Sequence, residues 1–309
     1  MRMPELKHLV QRFLFSSVAA DWQLCAVSVD WHGEALVLFQ EGKPSRPNRD
    51  ADMDARLRWL NAPPKRHHLI YWRNGSLGQV TFDNPTGLLS TAHVQPMDEG
   101  WLVAESNGGL ARVFDSQGNL DRKLDLGDAI EHINTTPDGN IWVGYFDEGV
   151  YGRGIGSEGL VCFDPRGTPM FRYMEFAKQH GLPFISDCYT LNVVGPSVYV
   201  SYYTDFPLVW IRDFQLQRVW NDFGANRAVA IRPEQFITFP VYDKPFLTVR
   251  SFESSDSTVW ELVAPDGRHL SALTGEPETA STGSHVPFQC VARNSRLYVY
   301  DNIGLYELP

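Results

Sequence analysis

Six short apolar runs of this chain stop at an acidic residue that lies in or next to a turn. The acidic residues are Glu41, Glu105, Asp147, Asp205, Asp243 and Asp301. Carboxylates that converge on one mouth would bind a hard cation through their oxygen atoms. Asp also favours turns of any function, because its side chain accepts hydrogen bonds from nearby backbone groups. Turn chemistry is therefore the simpler explanation of the recurrence, and cation binding is the alternative.

A second set of polar residues opens the apolar runs that precede these turns, and its charge varies from one unit to the next. The set comprises Asp21, His93, Glu131, His132, Asp187, Asn226, Arg227 and His285. Within it, Glu131, Asp187, Asn226 and His285 have the side-chain types of a mononuclear metal site. A divalent cation (Ca, Mn or Zn) is the cofactor that this hypothesis implies, and measured ligand distances would be needed to establish it.

Aromatic residues stand beside the acidic turns and widen the choice of ligand. Arg227 together with tyrosines such as Tyr203 would equally form a pocket for a carboxylate, a sugar or a peptide. We predict that the ligand site lies on the face that carries both sets of polar residues. Its candidate residues are Asp147, Asp187, Tyr203, Asp205, Arg227 and Asp243.

These residues recur because the chain repeats one structural unit. In the second unit, for example, strand-like runs cover 92–96, 101–105, 111–114 and 121–126, with turn residues between them. Four antiparallel strands in each of six units, at roughly 50 residues per unit, are typical of a β-propeller. A sandwich would need no such recurrence. The sequence therefore predicts an all-β fold, a six-bladed β-propeller, as a single domain over 1–309.

The sixth unit contains one strand fewer than the others, because the sequence ends just after the run 304–308. The apolar stretch 9–15 would supply the missing outer strand. Such pairing would close the ring and remove an exposed sheet edge. We therefore predict that the N-terminal segment completes the last blade.

The fifth unit and two insertions depart from the regular pattern. Both 246–250 and 258–263 have the pattern of a third strand, so the sequence leaves the register of this blade open. Insertions are predicted at about 43–68, with one short amphipathic helix, and at 177–186. Insertions between blade strands lie on the propeller faces, where binding loops are common.

Composition and charge narrow the classes of partner. The net charge is −10, whereas a nucleic-acid-binding domain needs a basic surface, so no nucleic-acid partner is predicted. No run approaches the roughly 20 apolar residues of a membrane helix, which argues against a membrane partner. The four cysteines lie in or beside apolar runs without zinc-ligand spacing, which predicts buried free thiols. We expect a cytoplasmic monomer, with a cleaved N-terminal signal over 1–20 as the alternative.

Several phrases resemble known propeller families. The run Thr136-Pro-Asp-Gly-Asn-Ile-Trp-Val-Gly144 resembles the repeat of NHL-type and two-component-regulator-type sensor domains. Residues 144–150, 187–193 and 202–207 resemble bacterial propeller-like proteins of unassigned function. Both resemblances imply the propeller fold and neither brings a known chemistry. The metal candidates are similar in type to the Glu, Asn and Asp of gluconolactonase-like propellers, although the surrounding motifs of those enzymes are missing.

We predict a non-enzymatic recognition module that binds a protein or a small polar ligand at the channel mouth. Propellers are rigid and present many loops, and the sequence contains no GxSxG elbow, HExxH pair or Ser-His-Asp order. One alternative is a metal-dependent hydrolase or lactonase of the gluconolactonase-like propeller type. A second alternative, a neutralising (immunity-type) partner of a basic protein, rests on the acidic net charge.

Overall fold

The computed structural model shows six blades, each of four antiparallel strands, arranged in a ring. It describes residues 4–41, 52–54, 65–84, 92–241, 246–254, 256–272 and 285–309. The predicted six-bladed β-propeller is confirmed. Before the first blade lie β1 (Glu5–His8) and β2 (Val10–Leu14).

The remaining strands follow the chain around the ring. Blade I contains β3 (Trp22–Val29), β4 (Ala35–Glu41), β5 (Lys65–Arg73) and β6 (Ser76–Asn84), and blade II contains β7 (Ala92–Met97), β8 (Gly100–Glu105), β9 (Leu110–Phe114) and β10 (Leu120–Asp125). Blade III contains β11 (Ile130–Thr135), β12 (Ile141–Tyr145), β13 (Leu160–Phe163) and β14 (Pro169–Arg172), and blade IV contains β15 (Asp187–Val194), β16 (Ser197–Tyr203), β17 (Leu208–Arg212) and β18 (Gln215–Trp220). Blade V contains β19 (Asn226–Arg232), β20 (Gln235–Pro240), β21 (Leu247–Ser251) and β22 (Ser257–Val263), and an additional strand, β23 (His269–Ala272), follows it. Blade VI contains β24 (His285–Arg293), β25 (Arg296–Tyr300), β26 (Gly304–Glu307) and the N-terminal strand β2. Helices α1 (Asp147–Val150) and α2 (Tyr173–His180) are short, and no helix in the described ranges is long and apolar enough to cross a bilayer.

The turns of several blades share one hydrogen-bonding pattern. In several blades an Asp at the start of a turn accepts hydrogen bonds from the backbone N–H groups two and four residues later. The Asp164 Oδ1 atom accepts from Arg166 and Thr168 at 2.8 Å each, and the Asp30 Oδ1 atom accepts from His32 and Glu34 at 2.8 Å each. Such side-chain caps satisfy turn donors that the strand ladder leaves unpaired.

The N-terminal segment closes the ring, as the sequence predicts. Strand β2 pairs antiparallel with β26, with Val10 opposite Glu307, and so becomes the outer strand of blade VI. Strand β1 instead pairs in parallel with β22 of blade V, with Glu5 opposite Trp260. Leu9, between the two strands, is buried in the core shared by blades V and VI.

The structure also resolves the register of blade V and corrects the insertions. Strand β21 is the third strand and β22 is the fourth, while the additional strand β23 pairs with both β22 and β24. The first insertion ends before Lys65, where β5 begins, so 65–68 belong to the blade. The second irregular segment begins at Tyr173 with α2, earlier than the predicted 177, because α2 follows β14 directly. Most of the helix predicted near 52–60 lies outside the described residues.

One arginine joins four blades at one end of the central channel. Arg293 is the last residue of β24, where the turn to β25 begins. Its guanidinium donates to the Val193 carbonyl at 3.2 Å, to the Val29 carbonyl at 3.4 Å and to the Gln95 Oε1 atom at 2.7 Å. It also donates to the Thr135 carbonyl. These acceptors belong to blades I to IV, and the side chain is 1% exposed.

The next residue of the same turn extends this network to blade V. The Asn294 carbonyl accepts from the Ile231 N–H at 2.7 Å, and its own N–H donates to the Asn192 Oδ1 atom at 3.0 Å. The turn of blade VI therefore bonds directly to every other blade. Burial lowers the pKa of Arg293 to about 9, and the charge of Asp30 opposes that shift, so the guanidinium stays protonated at neutral pH.

Removing residues 1–15 should lower the free energy of unfolding by at least about 3 kcal/mol, because the deletion exposes the edge of β26 and removes buried Leu9. Denaturant unfolding of the purified protein would measure this loss. Removal of 1–4 is the control, since it leaves β1 and β2 in place. A 1–15 deletion that unfolds at the same denaturant concentration as the full chain would contradict closure by β2.

The substitution Arg293→Met should destabilise the protein by about 3 kcal/mol or more, because it leaves several buried acceptors without a donor. The matched control is Arg232→Met, whose guanidinium donates to the Ser295 carbonyl at 3.4 Å and the Pro309 carbonyl at 3.0 Å from a more accessible position. We expect the control to cost about 1 kcal/mol or less. Equal losses for the two variants, measured by chemical denaturation, would show that Arg293 has no special role.

Candidate functional site

The central channel contains a cavity of about 720 Å3 lined by the first strand of every blade. These strands are β3, β7, β11, β15, β19 and β24. The last residues of these strands lie near Arg293, because the Val29, Thr135 and Val193 carbonyls accept its hydrogen bonds. Their first residues lie toward the opposite end of the channel, which we call the mouth. The channel therefore has an open mouth and an end spanned by the Arg293 network.

Four of the six inner strands carry a β-bulge just inside this mouth. The register shifts at Cys25, Glu131, Tyr189 and Arg227, and each of these residues lines the cavity. A bulge inserts one extra residue and redirects its side chain, which is a common device beside functional sites. Here the bulges place side chains of different chemistry at equivalent positions around the channel.

The two remaining blades complete this ring without a bulge. His93 on β7 and Gln289 on β24 occupy the corresponding positions and also line the cavity. The His93 Nε2 atom lies 3.0 Å from the Ser106 Oγ atom and 3.1 Å from the Ile130 carbonyl oxygen. Gln289 accepts a hydrogen bond from the Tyr300 hydroxyl. We call the six residues Cys25, His93, Glu131, Tyr189, Arg227 and Gln289 the mouth ring.

Negative charge is concentrated on the side of the mouth formed by blades III and IV. Burial, followed by the charges of Glu131, Asp147 and Glu148, raises the pKa of Asp187 to about 7. Burial also raises the pKa of Glu131, while His93 and Arg227 act in the opposite direction. The Oδ1 atom of Asp187 is buried without a hydrogen-bond partner among the described residues. Ionisation of these crowded carboxylates therefore costs free energy.

The histidines at the mouth are neutral at physiological pH. Burial lowers the pKa of His93 to about 4, with a further contribution from His132. Burial likewise lowers the pKa of His132 to about 4. Arg227, on the neighbouring blade V, forms no hydrogen bond or ion pair within the described ranges and acts on Glu131 through its charge. It is the one cation of the mouth ring.

Aromatic side chains border the acidic side. The Phe206 ring centroid lies 5.4 Å from that of Tyr189 and 5.4 Å from that of Tyr203. Tyr203 is 49% exposed, so one face of this cluster is open to solvent. Phe146 and Tyr300 line the cavity itself. Aromatic faces beside carboxylates suit ligands that carry a positive charge or a flat ring.

The structure brings part of the predicted ligand set together. Asp147 begins α1 and acts on Asp187, the first residue of β15, through its charge. Tyr203 lies opposite Asp187 in blade IV, and Arg227 projects from the bulge of β19. Asp205 is exposed in the following turn with a φ of 65°, which Asp tolerates better than most residues. Asp243 lies outside the described residues.

The metal hypothesis stays a prediction. Glu131 and Asp187 are close enough for each to affect the other's charge, and Asn226 begins β19. The Asn226 Nδ2 atom donates to the Gly224 carbonyl at 2.9 Å and to the Phe223 carbonyl at 3.4 Å, so this amide supports its own turn. His285 begins β24, and its side chain lies outside the description. Among the side chains described, no three His, Cys, Asp or Glu residues form a metal-ligand group.

Other acidic turn residues have structural partners. Asp301 is 6% exposed, accepts from the Ile303 and Gly304 N–H groups at 2.8 and 2.9 Å, and pairs with Arg268 at 2.8 Å. Glu105 pairs with buried Arg112 at 2.7 Å. Turn and strand stabilisation therefore accounts for these two carboxylates.

Sequence reasoning missed several cavity residues, among them Glu148, Tyr189, Gln289 and Tyr300. Glu148 was overlooked because Asp147, its neighbour, ends the apolar run. The tyrosines and Gln289 follow strand patterns that give no sign of a channel-facing position. A search for one extra residue near the start of each inner strand would have identified Tyr189, since the bulge is local.

Comparison of the sequence with known proteins gives one partial family match. A model of the YxzG family matches residues 160–272, which is less than half of the chain. No curated protein matches the sequence.

Solved structures agree at low sequence identity. KlHsv2 with loop 6CD replaced by a Gly-Ser linker superposes with a TM-score of 0.51 at 7% identity, over 91% of this chain and 90% of that one. The gluconolactonase XC5397 from Xanthomonas campestris gives 0.45 at 13% identity, over 99% and 97%. BamB from Moraxella catarrhalis gives 0.42 at 12% identity, over 94% and 84%. Similarity at these identities concerns the fold alone, and the narrower resemblance to NHL-type repeats stays a prediction.

The substitution Asp187→Asn should make the stability less dependent on pH. The pKa of Asp187 rises from its usual 3.8 to about 7 on folding, so its protonation stabilises the folded state at low pH and this contribution is lost as pH rises through 7. Between pH 5 and pH 8 the wild type should lose about 1 kcal/mol relative to the variant, after allowance for solvent screening of a half-exposed group.

Denaturant titrations at the two pH values would measure this difference. The control is Asp213→Asn in the exposed turn between β17 and β18, at the opposite end of blade IV. Parallel pH profiles for wild type and Asp187→Asn would contradict the electrostatic crowding described above.

Proposed function

We propose that this protein is a non-enzymatic recognition module that binds a small polar ligand, or a polar side chain of a protein, in the mouth of the propeller channel. One observation carries the proposal. The mouth ring offers one side chain from each blade to a single cavity, and these side chains differ in charge and shape. A ring that varies around a repeated scaffold is suited to recognise an asymmetric ligand.

The size of the cavity supports a small ligand. Its volume of about 720 Å3 lies within the range of roughly 300–1,000 Å3 that is typical of small-molecule pockets. The mouth ring stands on strands that are hydrogen-bonded on the blade side and tied at the other end by Arg293. Side chains on such strands are held in place before the ligand arrives, which lowers the entropy lost on binding.

The one Ser–His contact of the cavity favours recognition over nucleophilic catalysis. A carbonyl oxygen can only accept, so the His93 Nε2 atom carries the proton that it shares with the Ile130 carbonyl. That nitrogen therefore has no lone pair with which to deprotonate the Ser106 hydroxyl, which lies 3.0 Å away. A serine nucleophile needs a basic imidazole nitrogen as its partner.

The substitution Tyr189→Ala should weaken ligand binding about tenfold or more, because Tyr189 contributes an aromatic face of the mouth ring. Ligand-observed NMR with a library of small amines, alcohols, sugars and carboxylates would identify binders, and calorimetry would give their affinities. Asp213→Asn, at the opposite end of blade IV, is the control and should leave binding unchanged.

Thermal unfolding of both variants would establish that they are folded at the assay temperature. The proposal is wrong if no library compound binds, or if every bound compound has the same affinity for wild type and Tyr189→Ala.

A further inference from the structure

The blade III–IV side of the channel mouth carries several carboxylates and two buried hydrogen-bond acceptors, on His132 and Asp187, that have no partner among the described residues. From these features, and resting on the proposed function, we propose that the ligand presents a protonated primary amine or guanidinium group, which the blade III–IV side of the mouth binds. The cation would lie between Glu131, Glu148 and the ring of Tyr189. Three independent features of the cavity support this assignment.

The first feature is the carboxylate pair that lines the cavity. Glu131 projects from the bulge of β11 and Glu148 belongs to α1, and both contribute to the cavity wall. Asp147 and Asp187 stand directly behind them and add negative potential to the same side. Against these four carboxylates the mouth ring has one cation, Arg227, on the adjacent blade V. A bound cation would relieve the repulsion among the carboxylates.

The second feature is an acceptor nitrogen on His132. The ring of His132 is neutral, and hydrogen bonds to backbone groups of Cys188 and Tyr189 favour a proton on it. Its Nε2 atom is buried without a hydrogen-bond partner in the described part of the chain. A neutral imidazole that donates from one nitrogen accepts at the other. The unsatisfied lone pair of Nε2 therefore adds negative potential to this wall, which favours a bound ammonium or guanidinium group.

The third feature is the aromatic border on the same side. Tyr189 and Phe146 line the cavity next to the carboxylates, and Phe206 packs against Tyr189 at 5.4 Å. A cation over an aromatic face is stabilised by the ring quadrupole. This wall combines carboxylates, an acceptor nitrogen and aromatic faces. The combination disfavours anions and favours cations over neutral polyols.

Three probes of equal chain length test the charge of the ligand: cadaverine (1,5-diaminopentane), 1,5-pentanediol and glutarate. Calorimetry in 150 mM NaCl should show that cadaverine binds at least about tenfold more tightly than the other two. Glu131→Gln and Glu148→Gln should each weaken cadaverine binding about tenfold, because each removes one carboxylate from the wall. Arg227→Gln should strengthen it severalfold by removing the opposing cation.

The control Asp213→Asn removes the same charge from the opposite end of blade IV and should leave cadaverine binding unchanged. This control separates the site from general attraction to an acidic protein. The peptide Gly-Lys-Gly, compared with Gly-Gln-Gly, tests whether the amine comes from a protein side chain. Binding of cadaverine without Gly-Lys-Gly would assign the site to free amines, and binding of both would admit a lysine side chain.

The pH dependence gives a second measurement. Burial, together with the charges of Glu131, Asp147 and Glu148 that face it, raises the pKa of Asp187 to about 7, so this carboxyl loses its proton between pH 6 and pH 8 while the amine stays charged. Cadaverine affinity should therefore rise severalfold over that interval in the wild type. In Asp187→Asn the rise should be much smaller.

The inference is overturned if pentanediol or glutarate binds as tightly as cadaverine, if cadaverine fails to bind, or if Glu131→Gln and Glu148→Gln leave its affinity unchanged. The proposed function fails separately. If library compounds bind and lose affinity in Tyr189→Ala, the channel is a ligand site whatever their charge, and the assignment of a cation alone is wrong.

Discussion

One guanidinium group at the end of the channel opposite the mouth links the blades from which the rest of the structure is built. Arg293 donates to acceptors of blades I to IV, and Asn294 beside it bonds to blades IV and V. The acceptors are carbonyl oxygens of Val29, Thr135 and Val193, near the ends of inner strands, and side-chain oxygens of Gln95 and Asn192. The network fixes the distance of every inner strand from the channel axis. It therefore also fixes the width of the mouth at the other end of the same strands.

The bulges convert this symmetric frame into an asymmetric site. A propeller repeat would place similar side chains at equivalent positions, but the extra residues are Cys25, Glu131, Tyr189 and Arg227 in successive blades that carry a bulge. The strands keep their pairing with the rest of the blade on both sides of each bulge. Chemistry at the mouth can therefore change without a change in the blade core, which separates recognition from stability.

The sequence predicts the ring, the number of blades and closure by the N-terminal strand, because apolar runs and turn residues act locally. It predicts much less of the site. Asp301 and Glu105 follow the same sequence pattern as the carboxylates at the mouth. Their partners Arg268 and Arg112 lie in other segments of the chain, and a local sequence pattern does not reveal such pairing. Blade V was ambiguous because β21 and β22 are both apolar strands followed by turns, and hydrogen-bond register decides between them.

Closure by β2 has a consequence for how the chain folds during synthesis. Val10 pairs with Glu307, so nearly all of the blades are synthesised between β2 and its partner strand. At the usual 5–20 residues per second, a ribosome needs roughly 15–60 s to synthesise the roughly 300 residues between them. During that interval the nascent chain can assemble neighbouring blades but cannot complete the circle. Strand β2 stays without its partner until β26 has emerged from the ribosome, so the rate of translation sets the earliest moment at which the ring can close.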